Sequence, residues 1–213
     1  AFRANPPSAA ESNRTLPTSG STLRETGEVI PWHLSLVRDR TLELRLKQAL
    51  RQLEDDESVT TGLTSLQMIL NRDEDSFVRI EGDAVPAGAQ QWVARILSGL
   101  PPETLKLYQT LYGREAERAL QDALKTNDPH EMGRVIRRFY HTPAGFAAAD
   151  WLATREMDQA AYLSAAAYWQ RLLKDPIHQQ HVRPIHQLKI AFCWERAGNS
   201  LLAQHWLQQA GDV

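Results

Sequence analysis

The sequence predicts an all-α fold built of antiparallel helical hairpins. Three observations carry that prediction. From about residue 37 onward, apolar residues recur at helical spacing. Prolines and glycines interrupt these stripes often enough to leave roughly ten helices with short connections. At 213 residues, with 42% hydrophobic and 23% charged, the chain is long and apolar enough to bury a core. Helices of about 10–15 residues are marginal alone in water, so each stripe must be buried on a neighbour.

Residues 1–36 read differently. Pro6, Pro7, Pro17 and Pro31 alternate with Ser8, Ser12, Thr15, Thr18, Ser19, Ser21 and Thr22. Large apolar residues are too few there to repay the entropy of ordering, which predicts an extended or disordered tail. Ile30-Pro31-Trp32-His33-Leu34 is the stretch apolar enough to dock on the domain, and Asn13-Arg14-Thr15 matches a glycosylation sequon.

The helical domain, 37–213, then unfolds element by element. Leu42, Leu46, Ala49, Leu50 and Leu53 form the first stripe, which the acidic run Glu54-Asp55-Asp56-Glu57 ends. Leu63, Leu66, Ile69 and Leu70 form the second. Asn71 to Ser76 imitates the start of a calcium loop, but Ser76 and Gly82 stand where glycine and glutamate are needed, so it reads as a helix end. Residues 77–86 read as a short β-hairpin, with Phe77 to Ile80 and Ala84-Val85 as its strands. Val93, Ile96, Leu97 and Leu100 stop at Pro101-Pro102; Leu105, Tyr108, Leu111 and Tyr112 stop at Gly113; Ala116, Ala119, Leu120, Ala123 and Leu124 follow. Asp128-Pro129 and Thr142-Pro143 are paired cap and first-turn signals for the next two helices. Asp158 is positioned to cap the helix carrying Tyr162, Ala165, Ala166, Trp169 and Leu173. Pro184 starts another, which Gly198 ends, and Leu202, Ala203, Trp206, Leu207 and Ala210 carry the last.

Segments 146–176 and 184–211 can be superposed at an offset of 38 residues. Ala153 then matches Ala191, Ala165 matches Ala203, Trp169 matches Leu207, and Leu172 matches Ala210. These spacings resemble the tetratricopeptide repeat, whose period is about 34 residues. Segment 113–129 is a weaker match through Ala116, Leu120, Ala123 and Pro129. A longer order is also similar to the N-terminal helical region of large bacterial envelope proteins that carry a PQQ-like β-propeller. It runs through Leu100-Pro101-Pro102-Glu103-Thr104-Leu105, Leu111 to Ala116, Val135 to Thr142 and Ala165 to Leu173. No propeller repeats are present in this sequence. The resemblance implies a right-handed tetratricopeptide-like superhelix and a place in a larger envelope assembly. Its partner would be another protein or peptide, such as a propeller domain or a redox-complex subunit. Together with a first residue that is Ala1 rather than methionine, it implies a periplasmic or cell-surface protein, while a cytoplasmic one stays open. It transfers no catalytic residue and no cofactor.

Within such a repeat the first helix of each pair lines the concave groove. By position this assigns Asp150, Thr154 and Met157 in one repeat and Leu188, Phe192 and Glu195 in the next as groove residues. The expected function is therefore a non-catalytic interaction scaffold. The rival is a metal-binding protein or enzyme built around His178, His181 and His186, a cluster in which residues three apart, such as His178 and His181, suit ligands on one helical turn. No phosphate-binding loop, dinucleotide fingerprint, zincin or hydrolase-elbow motif occurs. Asp150 with Glu156, or Asp55 with Glu57, would serve as paired carboxylates, but solvated charge is the better reading. Arg134, Arg137, Arg138 and His141 place positive charge along one helix flank, where surface ion pairs are expected. A formal net charge of -2 argues against nucleic-acid binding. Cys193, the single cysteine, sits in an apolar run and reads as a buried hydrophobe. No apolar run is long enough to span a bilayer.

Overall fold

Side chains that cap helix ends set the element boundaries. A computed structural model describes residues 39–79 and 86–211. Asp39 accepts from the Leu42 N–H at 2.9 Å, Asp128 from the His130 N–H at 2.8 Å, and Thr142 from the Gly145 N–H at 3.2 Å. Each satisfies a donor that the helix itself leaves unpaired. Among the described residues the elements are α1 (Arg40–Leu53), α2 (Val59–Leu70), β1 (Phe77–Val78), β2 (Ala87–Gly88), α3 (Ala89–Ser98), α4 (Pro102–Thr126), α5 (Pro129–Phe139), α6 (Pro143–Asp158), α7 (Tyr162–Lys174), a 3-10 turn (Pro176–His181), α8 (Pro184–Arg196) and α9 (Ser200–Gly211). The fold is all-α, with one two-stranded antiparallel sheet. Consecutive helices pack on each other from α1 to α3 and again from α4 to α9, as short connections favour. The tail 1–36, with its sequon and docking stretch, lies outside the described residues.

Three expectations are corrected. Gly113 does not stop a helix: α4 runs through it for 25 residues. A glycine in a helix interior costs only about 1 kcal/mol, and both halves of α4 repay that by packing. Asp158 does not cap α7 but closes α6; the α7 N-cap is Ala161, with no side-chain cap. The strand paired with Phe77–Val78 is Ala87–Gly88, in register Phe77 to Gly88 and Val78 to Ala87. Ala84-Val85, the expected strand, lies outside the described residues.

Two apolar cores result. One gathers Leu42 and Leu46 of α1, Leu63, Leu66 and Leu70 of α2, Val93 and Leu97 of α3, and Tyr108 of α4. The other gathers Ala116 and Leu120 of α4, Phe139, Ala153, Trp169, Ile190 and Cys193. Long α4 serves both, and Tyr112 packs against each. At their seam Tyr108 donates to the buried Gln67 carbonyl at 2.7 Å, and the Gln67 amide donates to the Arg138 carbonyl at 3.2 Å. Cys193 is buried, as its apolar setting predicts.

The basic flank of α5 divides. Arg134 and Arg137 reach Asp73 at 3.7 and 3.8 Å, and Arg138 pairs with Glu115 at 2.9 Å. These are surface ion pairs of small energetic weight. His141 is not part of that flank: it is buried, and burial pushes its imidazole down to about 4.

Candidate functional site

The two helix pairs matched by the 38-residue offset turn alike. After α6, Ala160 adopts φ 61°, its N–H reaches the Met157 carbonyl at 3.0 Å, and the Ala161 N–H reaches that of Glu156 at 2.9 Å. After α8, Gly198 adopts φ 83°, its N–H reaches Glu195 at 3.0 Å, and the Asn199 N–H reaches Trp194 at 2.9 Å. This is the Schellman closure, repeated at equivalent positions. At that offset Asp150, Thr154 and Met157 of α6 align with Leu188, Phe192 and Glu195 of α8.

On α6 two of the three positions, Asp150 and Thr154, are polar and engaged. Asp150 accepts from the Trp169 indole N–H at 2.7 Å. Its carboxylate also lies 3.6 Å from Lys189 Nζ and 3.6 Å from His186 Nε2. Lys189 donates to Thr154 Oγ1 at 3.2 Å, and its ammonium sits 4.9 Å from the Trp169 ring centroid. His186 Nδ1 lies 3.0 Å from the Arg183 N and 3.1 Å from the Arg183 carbonyl, which holds the ring with Nε2 facing Asp150. Burial lowers the His186 pKa against the opposing pull of Asp150. Asp150 and Thr154 are thus joined through Lys189, which sequence reasoning missed. Its only signal was a cation set into the apolar row of α8.

On α8 the equivalent positions are uncovered. Leu188 is 43% exposed and Phe192 50%, and Ile185, one turn earlier, is 50% exposed. Phe192 meets Tyr162 edge-on at 6.0 Å. Met157 is half-buried against the core. Glu195 is exposed, and its carboxylate has no hydrogen-bond or ion-pair partner among the described residues. The face therefore passes from a paired Asp150–Lys189 seam to a bare apolar row.

His178, His181 and His186 do converge, but on a ring. Their imidazoles lie 5.5, 5.3 and 5.6 Å from Phe146. His178 is buried, lies edge-on to Tyr140 at 4.7 Å, and is pushed down to about 4 by burial. Among the described residues no group of three His, Cys, Asp or Glu side chains is placed to hold a metal ion. The clustering of the three in sequence corresponds to contact with a shared aromatic neighbour. Among the described residues, no helix is long and apolar enough to cross a membrane.

Compared with protein-family models, with curated proteins and with solved structures, the chain matches none of them. The tetratricopeptide and envelope-protein resemblance therefore rests on the pattern of its own residues.

Proposed function

We propose that this chain is a non-catalytic protein–protein interaction scaffold that uses the face formed by α6 and α8. The observation that carries this reading is the row Ile185, Leu188 and Phe192, three large apolar side chains about half exposed on consecutive turns of one helix. Burying such a side chain fully is worth roughly 1.5–3 kcal/mol, so a partner that covers the row gains binding energy there. The Asp150–Lys189 seam beside it supplies polar groups that fix register. The common turn geometry of the two hairpins supports a tetratricopeptide-like stacking, in which this face is the concave one. The sequence resemblance extends the reading to a bacterial envelope assembly in the periplasm or at the cell surface, with a propeller domain or redox subunit as the partner.

The test is purification from the native source of the chain and of a Leu188→Glu, Phe192→Glu double variant. A stoichiometric protein should accompany the first and be lost from the second, with circular dichroism unchanged. A partner held equally by both forms, or no partner at all, overturns the reading.

A further inference from the structure

A second surface lies where the end of α3, the start of α4, the end of α7 and the 3-10 turn meet. Two concavities of about 510 and 620 Å³ adjoin there, sharing Ser98 and Pro176 in their walls. They form one path across the surface, and it shares no residue with the row on α8.

The charge of this path is the opposite of the chain's. Its lining holds Arg171 and Lys174 on one side of the shared ridge and Lys106 on the other, against one carboxylate, Asp175. The chain as a whole carries a formal net charge of -2. Asp175 is already occupied: it accepts from the Ile177 N–H at 3.2 Å and from the Ser98 hydroxyl at 3.4 Å. Arg171 lies over the Tyr140 ring at 4.3 Å, which orients its guanidinium without neutralising it. Lys106 and Lys174 have no ion-pair partner among the described residues. The ridge itself is anchored, because Ser98 Oγ is 3.0 Å from Nε2 of the buried His141.

The remaining lining is suited to a polypeptide. Leu100, Leu105 and Ile177 offer apolar contact, and Gln109, Gln179 and Gln180 offer amide groups that match backbone N–H and C=O. Gln109 already donates to the His141 carbonyl at 3.1 Å, which leaves its own carbonyl as an acceptor. Large aromatic faces on which bases could stack are missing from the lining of both concavities.

We propose that this path receives an extended, acidic segment of a partner protein, with carboxylates on Lys106, Lys174 and Arg171 and apolar side chains against Leu100, Leu105 and Ile177. The inference rests on the interaction-scaffold reading for its context but not on the α6–α8 face, so the two fail separately.

The experiment is fluorescence anisotropy of the full chain with labelled peptides of about ten residues, long enough to cross both concavities when extended. One peptide mixes glutamate with leucine, and a second replaces each glutamate by lysine. The acidic peptide should bind, weaken at least about tenfold between low and 0.3 M salt, and weaken by a similar factor in a Lys106→Glu, Lys174→Glu variant. Both lysines are exposed, so the variant keeps its fold, and circular dichroism checks that. The Leu188→Glu, Phe192→Glu variant should bind the acidic peptide unchanged. Equal binding of both peptides, no binding of either, or undiminished binding by the charge-reversed chain overturns the proposal. Tighter binding of a single-stranded oligonucleotide or of anionic vesicles overturns it in favour of those ligands.

Discussion

Hairpins α6–α7 and α8–α9 share a turn and a register, yet they use equivalent positions in opposite ways. The small residues behave alike: Ala153 and Ala191 are buried on the first helices, and Ala165 and Ala203 on the second. These positions let two backbones approach within each hairpin, so they depend only on the hairpin itself. The larger positions diverge. Trp169 is fully buried, whereas its equivalent Leu207 is 51% exposed. Asp150 is tied to Trp169 and Lys189, whereas its equivalent Leu188 is bare. Trp169 lies under α8, while no described element packs over α9 in the same way. What a position does within its own hairpin is local; what it does toward the next hairpin depends on whether one is there.

The strongest way to break the comparison is to empty the two divergent positions. Trp169→Ala should cost roughly 3–5 kcal/mol, because it opens a cavity and leaves Asp150 without its indole donor. Leu207→Ala should stay within about 0.5 kcal/mol. Urea unfolding of the two variants reads the difference. Similar costs would mean that α9 is covered as α7 is.

The acid response is set first by two buried imidazoles at the junctions. His141 precedes α6 and His178 lies between α7 and α8; burial holds both to about 4, against about 6.5 for an unfolded-chain imidazole. Between pH 6.5 and 4 the unfolded chain takes up protons that the folded chain refuses. Stability is therefore fully present above about pH 6.5, falls as pH is lowered through that window, and levels off below it. His141 alone should account for a loss on the order of 3 kcal/mol. Urea unfolding between pH 7 and 4 measures this, and a flat profile would show that these imidazoles titrate normally in the folded chain.

The smallest effect sharpens the likeness of the two turns. Gly198→Ala puts a side chain at φ 83° and should destabilise by about 1 kcal/mol. Nothing lies within 4 Å of the added Cβ, so the cost is conformational. Ala160→Gly relieves the same strain and should stabilise by a few tenths of a kcal/mol, partly offset by unfolded-state entropy. Opposite signs in thermal unfolding would confirm that the two positions are equivalent.

Much of the fold was legible because its signals are local. Asp128-Pro129, Thr142-Pro143, Pro184 and Gly198 mark real helix ends, since caps and left-handed closures involve neighbours a few residues away. Gly113 misled because its signal is weak and the packing of α4 on two cores overrides it. The site was legible only in part. The 38-residue offset singles out Asp150, Thr154, Leu188 and Phe192 as expected groove positions, but Lys189, which links the first two, comes from a helix 35 residues away. His141 looked like one more cation beside Arg138, and nothing in the sequence singled out Ser98. Their 3.0 Å contact spans 43 residues of sequence.

The sequence by itself determined that the chain is helical and where most helices begin and end. Those properties follow from apolar period, capping chemistry and the small residues at close approaches, all of them short-range. Tertiary structure decided which equivalent position is buried and which is bare, that three histidines gather on Phe146, and that cations from α4 and α7 line one path. Burial and charge clustering are sums over elements distant in the chain, and no single stretch of sequence contains them.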